Sequence, residues 1–542
     1  MKKMLVGMTA TLALSSVLAG CSGGAEEGQE GAAVSQEEVE QEITVNAMTE
    51  PPTLDPALST DTTSFWILDH MFEGLYTQDK EGEAVLGVAE DVNISEDGTV
   101  YTFTIREDAV WSDGTPVTAE NFEYAWKRVL DPATASAFAF YLYYIEGAEA
   151  YNKGEGSVED VAINAVDERT LEVTLNSPLG YFDKLLTQRT FLPLKQEVVE
   201  ADPNWAAGPE TYISNGPFEL TEWSHNEQVV IEKNEEYFNA DQIDLQQITF
   251  EMVNDATTYY QMFKTDELDF IMTLPPDALD AEKDNPEFQS IPYYGTYMYM
   301  FNVEQEPFTN QKVRKAFAMA IDRESLTENV SRAGESPAYA MVPTGVTTPE
   351  GDFREEGGAY FEEDYEEAKR LLEEGMAEEG WDTLPEVTLM YNTSENHKKF
   401  AEAVQEMLKQ NLGVEVQLAN QEWKTYLETT EQGNFQMARM GWIGSFIDPV
   451  ANLDYYLGDS PNNRTNWVNE DYDRLIAEAK VEQDEAKRFE LLHQAEEILM
   501  TDLPFMPVYF YTNTYMTDSD IEDVAYYVNS YPSFKWAQVV PE

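Results

Sequence analysis

Residues 96–132 read EDGTVYTFTIREDAVWSDGTPVTAENFEYAWKRVLDP. Asp97-Gly98 is a turn signal, because both residues tolerate the backbone angles of a tight reversal. In the run that follows, Tyr101, Phe103 and Ile105 alternate with Thr102 and Thr104, which predicts a half-buried strand with the apolar residues on one face. Ser112-Asp113-Gly114 turns the chain again. Thr118 is placed to cap a helix, and Phe122, Trp126 and Val129 then share one helical face until Asp131-Pro132 stops it. A strand and an amphipathic helix in close succession point to an α/β lobe.

The same grammar recurs downstream. Residues 301–324, FNVEQEPFTNQKVRKAFAMAIDRE, predict a loop and then a helix with Val313, Phe317, Ala320 and Ile321 inward. Residues 398–423, KKFAEAVQEMLKQNLGVEVQLANQEW, predict an amphipathic helix closed by Gly413 and a strand Val414–Leu418 directly after it. DYDRLIAEAK and AKRFELLHQAEEILM predict two more helices, and FMPVYFYTN a strand. No fixed-period repeat is present. A chain of 542 residues exceeds the size of a single core, so two or more α/β lobes are expected.

Lys plus Arg total 33 against 103 for Asp plus Glu, a formal net charge of −70. Such an excess argues against recognition of nucleic acid or anionic lipid head groups through a basic patch. It fits a solvated acidic surface suited to high salt or an alkaline exterior.

The N-terminus carries an address. Lys2 and Lys3 precede the apolar stretch LVGMTATLALSSVLAG, which is short and rich in small residues, as in a signal peptide (1–20). Leu18-Ala19-Gly20-Cys21 resembles a bacterial lipobox, in which the cysteine thiol takes a diacylglycerol. Cys21 is the only cysteine, so no intrachain disulfide can form. Residues 21–42 are Gly, Ala, Ser, Glu and Gln with almost nothing to bury and predict a flexible acidic tether, with order beginning near Ile43-Thr44-Val45. The mature protein is expected at the extracellular face of the cell membrane, held by lipid at Cys21.

Enzyme signatures are missing. His70, His225, His397 and His493 lie far apart without metal-ligand spacing, and there is no GxSxG elbow, Walker loop or GxGxxG after a strand. With 103 acidic residues, carboxylate pairs are uninformative. No enzyme activity, cofactor or metal is expected.

The block EDGTVYTFTIREDAVWSDGTPVTAENFEYAWKRVLDP is similar to the signature region of the peptide/nickel class of extracellular solute-binding proteins (family 5), and nearest to the oligopeptide-binding lipoproteins of ABC importers. The likeness continues in order through VRKAFAMAIDRE, LMYNTSENHKKF, NQEWKTYLETTEQGNF, ARMGWIGSFIDP and LPFMPVYFYTN. It implies a two-lobed periplasmic-binding-protein-like fold closing over a ligand. Lobe I would comprise 43–85, 208–295 and 511–542, an additional α/β domain (86–207) would pack on it, and lobe III would span 296–510. The implied function is capture of oligopeptides or peptide-like solutes and delivery to membrane permease subunits, with separate ATPase subunits, by a monomer. A binder of a non-peptide or terminally blocked solute, or a surface signalling-peptide receptor on the same fold, are the alternatives.

The resemblance also implies a site. Arg439 matches the family's cleft arginine, with Glu73 as its partner. His397 matches a histidine that approaches a peptide carboxylate, Asn392 lies in the same block, and Trp423 and Trp442 match aromatics lining side-chain pockets. Where the peptide binders carry an aspartate that holds the ligand's ammonium group, this chain has Ser445, and the nearest carboxylate is Asp448. Ser331 (beside Arg332) and Thr430 stand where other members carry basic residues. The site is thus expected to be less charged at both ends.

Overall fold

The computed structural model describes residues 40–541 other than 422 and 461, and the backbone alone of 276, 395, 423 and 424. The signal segment, Cys21 and most of the tether lie outside the described residues. The first strand, Glu42–Asn46, buries Ile43 and Val45 and leaves Thr44 between them half-buried, as the alternation requires.

An 11-stranded sheet organises the chain. Its order is Val416–Gln421, Val387–Asn392, Met437–Ile443, Phe288–Phe301, Phe505–Thr517, Phe270–Met272, Glu42–Asn46, Gln247–Glu251, Gln228–Lys233 and Phe218–Ser224, with Ser336–Pro337 added against Phe505–Thr517. Two strands are long, and each changes neighbours halfway. Phe288–Phe301 pairs with Phe505–Thr517 from Phe288↔Met516 to Pro292↔Thr512, then again from Thr296↔Phe510 onward. The C-terminal end of Phe505–Thr517 also pairs with Phe270–Met272, whereas Gly295–Phe301 pairs with Met437–Ile443. These two strands therefore join the two ends of the sheet. The ladder breaks at Tyr293–Gly295 for local reasons. Pro292 has no N–H to donate, and a Cβ on Gly295 would lie 2.2 Å from Ile443 Cδ1 and 2.7 Å from the Trp442 carbonyl.

A separate four-stranded antiparallel sheet, in the order Ala89–Ile94, Val100–Ile105, Thr170–Thr174, Ile163–Asp167, forms the additional domain with its helices. Tyr101, Phe103 and Ile105 are buried as expected. The helix Ala119–Leu130 starts at Thr118, where a capping box with Asn121 satisfies free N–H groups, and buries Phe122, Trp126 and Val129. Arg128 clamps Asp55 with contacts of 2.9 and 2.6 Å, and Arg189 Nε donates to Asp69 at 2.6 Å. Both pairs tie this domain to the first lobe.

One boundary differs from expectation. The helix Glu395–Leu412 does end at Gly413 (φ +73°), but the strand after it is Val416–Gln421 rather than Val414–Leu418. The Gly413 and Val414 N–H groups donate back to the Lys409 and Leu408 carbonyls, so these residues complete the helix cap.

Candidate ligand cleft

The strand Met437–Ile443 lies beside the crossing strand Phe288–Phe301, and Arg439 projects from it. Its guanidinium carbon sits 4.6 Å from the centre of the Tyr297 ring. Nη2 donates to the Tyr511 hydroxyl at 2.9 Å and Nη1 to Asn392 Oδ1 at 3.5 Å. Tyr426 donates its hydroxyl to the Arg439 carbonyl. Tyr297 and Tyr511 come from the two crossing strands, and Asn392 ends the strand Val387–Asn392. Gly441 makes the approach feasible, since a Cβ there would fall 2.2 Å from the Tyr511 hydroxyl oxygen. No carboxylate stands among the described partners of Arg439; it is a half-buried cation held by phenols, a π face and an amide.

His397 joins the same cluster, its Nδ1 lying 3.3 Å from the Tyr297 hydroxyl. Burial, and then the nearby Arg439 charge, push its pKa down to about 3. The imidazole is neutral at physiological pH and acts as a hydrogen-bonding group. It is not a second cation.

Trp442 is half-buried; its Nε1 donates to the Ala451 carbonyl at 2.7 Å and its ring meets Tyr455 edge-on at 4.8 Å. Ser445 is half-buried and lies near the Tyr141 hydroxyl. The Trp423 side chain lies outside the described residues. Thr430 is buried and accepts from Arg464 at 2.8 Å, Ser331 donates to Glu335, and Arg332 pairs with Asp280.

Two expectations are corrected. Glu73 does not pair with Arg439. Its carboxylate accepts from Lys535 Nζ at 3.1 and 3.3 Å, with side-chain exposures of 4% and 11%, so a lysine far along the chain neutralises it. Asp448 is not free to meet a ligand. Arg488 binds both its oxygens at 2.8 and 2.6 Å, and one oxygen also accepts from the Val450 N–H. In each case the competing partner is distant in sequence. What the sequence reading missed is mainly phenolic: Tyr141, Tyr297 and Tyr511. The alternating tyrosines of GTYMYMF and PVYFYTN were an available signal, since tyrosines at alternate positions on adjoining strands line one face.

A groove of about 840 Å³ opens elsewhere, between Thr348–Glu350 and the helix Glu485–Asp502. Its His493 ring is stacked on Phe353 at 3.8 Å. Among the described residues no cluster of three or more His, Cys, Asp or Glu is arranged to hold a metal ion. No helix among them is long and apolar enough to cross a membrane.

Comparison with known proteins agrees with this architecture. The chain is 42% identical over 540 residues to the dipeptide-binding protein DppE of Bacillus subtilis, covering 99% of both chains. It is 38% identical over 533 residues to the oligopeptide-binding protein OppA of the same organism, covering 97% of both. The unliganded open form of the murein tripeptide-binding protein MppA, of Escherichia coli, superposes with a TM-score of 0.79 at 34% identity, over 93% of this chain and 98% of that one. The family model for bacterial extracellular solute-binding proteins, family 5 (middle region), matches residues 83–464. A two-lobed frame crossed by two long strands, matched over nearly its whole length, places this chain in the family 5 bacterial extracellular solute-binding proteins.

Proposed function

We propose that this chain is the substrate-binding lipoprotein of an ABC importer: it captures short peptides between its lobes, releases them unchanged to a membrane permease, and hangs from lipid at Cys21. The observation that carries the reading is agreement along 99% of both chains with a dipeptide-binding protein. The cleft supports it. Arg439 meets no carboxylate among its described partners, and closure would desolvate it, so an anionic ligand group such as a peptide carboxylate suits it as a counter-charge. Asn392, His397 and Tyr511 stand beside it as neutral hydrogen-bonding groups. Trp442 would line a side-chain pocket. The lobes would comprise 43–85, 208–295 and 511–542 on one side, with 86–207 added to them, and 296–510 on the other. The irregular ladder at Tyr293–Gly295 is then the hinge.

A specific observation favours a second reading at the ligand's amino end. Ser445 and Tyr141 present only hydroxyls there, and Asp448 is already neutralised by Arg488. A blocked amino terminus, or a peptide-like solute without one, suits this end as well as a free ammonium does. Native mass spectrometry of the purified protein, followed by calorimetry with synthetic di- to pentapeptides, tests both readings. Recovery of intact peptides supports capture; steady hydrolysis of bound peptide, or binding of no peptide at all, overturns it.

A further inference from the structure

The additional domain touches lobe III at a point the ligand-binding argument does not use. Tyr181, fully buried, precedes the short helix Phe182–Leu185. Its ring stacks on Phe446 at 5.3 Å with an interplanar angle of 11°. The Arg488 guanidinium carbon lies 5.2 Å from the centre of the same ring, and the Tyr181 hydroxyl donates to that of Tyr144 at 3.2 Å. The two segments are in contact here: a Cβ on Gly180 would sit 3.4 Å from both Arg488 Cδ and the Glu482 carbonyl, at van der Waals distance.

Phe446, Asp448 and Arg488 all belong to the 296–510 segment, whereas Tyr181 belongs to 86–207. The Asp448–Arg488 pair is 0% and 4% exposed, and the Tyr181 ring forms part of its cover. Withdrawing that ring would open the pair to water. Burying an ion pair opposes closure unless something offsets the lost hydration. An aromatic face over the guanidinium, stacked in turn on Phe446, supplies such an offset.

We infer that Tyr181 is a positioning residue for ligand capture: with Phe446 and the Asp448–Arg488 pair it forms a clasp that holds the lobes closed and sets how long a ligand stays, without touching the ligand. The inference deepens the peptide-capture reading and rests on it for the dissociation readout.

The test uses the full chain with Cys21→Ser and spin labels at Asp91→Cys and Glu497→Cys, two exposed positions on opposite sides of the seam. Interlobe distances are recorded without ligand, and dissociation of the tripeptide Ala-Ala-Ala is followed separately. Tyr181→Ala and Phe446→Ala are each expected to shift the distances to longer values and to speed dissociation about tenfold. The double variant should exceed either single one little, because each removes the same contact. Tyr181→Phe keeps the ring and should stay within about twofold of the unaltered chain. Distances and dissociation unchanged in both alanine variants, or Tyr181→Phe as impaired as Tyr181→Ala, would overturn the clasp. If Ala-Ala-Ala does not bind the unaltered chain, that failure belongs to the peptide reading, and the ligand-free distances still decide the clasp.

Discussion

Replacing Lys535 by Met should strand a carboxylate. Glu73 and Lys535 are 4% and 11% exposed and joined by two contacts of 3.1 and 3.3 Å. Burial works against the lysine's charge, and Glu73 outweighs it, so its pKa stands above the ordinary value. The favourable contribution is therefore complete below the unfolded lysine pKa of about 10.4 and lost only as the pH rises through the higher folded value. Lys535→Met leaves Glu73 buried without its partner, a loss on the order of 3–5 kcal/mol. Glu73→Gln with Lys535→Met should cost less than the sum of the single changes, with a coupling above about 1 kcal/mol. Glu73→Gln with Arg439→Met should be additive to within about 0.5 kcal/mol. Urea unfolding at pH 8, read on the transition that the Glu73 change moves, measures all of these. A Glu73–Arg439 coupling as large as that expected for Glu73–Lys535 would refute the reasoning.

Free and N-acetylated forms of one peptide should bind within a few-fold of each other by calorimetry, because Ser445 offers a neutral hydrogen bond. Ser445→Asp should favour the free amine about tenfold if the charged bond adds roughly 1.4 kcal/mol; strong rejection of acetylated peptide by the unaltered chain would contradict this. The pKa of His397, pushed down to about 3, means that the unfolded chain takes up a proton first as pH drops below 6.5, so His397 should lower stability between about pH 6.5 and 3. His397→Gln should flatten that part of the pH–stability curve; an identical curve would show that the imidazole titrates normally. Cys21→Ala should release the protein to the medium and abolish acyl labelling, and continued membrane retention would speak against the anchor.

Legibility from sequence followed the range of the interaction. YTFTI and its following helix could be read because a strand face and a helical face repeat every two and every three or four residues, within one local segment. The same holds for the Gly413 cap, although the backbone hydrogen bonds of the cap delayed the next strand to Val416. Arg439 could be found because a lone arginine between glycines and aromatics interrupts an acidic chain. Its neighbours could not be assigned in the same way. Lys535 reaches Glu73 across more than four hundred residues, and Arg488 reaches the loop residue Asp448 from the helix Glu485–Asp502. Neither carries a local signal, because pairing of charges depends on which strands the fold lays side by side. The approach of Ser445 to Tyr141, some three hundred residues earlier, is of this kind too.

The scarcity of cations makes their placement informative. A chain with 33 basic residues and 103 acidic ones can find a carboxylate for almost any lysine or arginine it buries. Arg128 meets Asp55, Arg189 meets Asp69, Arg354 meets Glu496, Arg488 meets Asp448 and Lys535 meets Glu73. Arg314 departs from the rule for a structural reason, as its guanidinium donates to the carbonyls of Phe308, Asp502 and Leu503 and so closes helix and loop ends. Arg439 departs from it otherwise. Its described partners are an amide oxygen, a phenol and a ring face, on three different strands of the sheet. In so acidic a protein, a guanidinium with no carboxylate among its described partners keeps its charge for a group that arrives from outside. Gly441, two residues after it, leaves the room in which the Tyr511 hydroxyl meets the guanidinium.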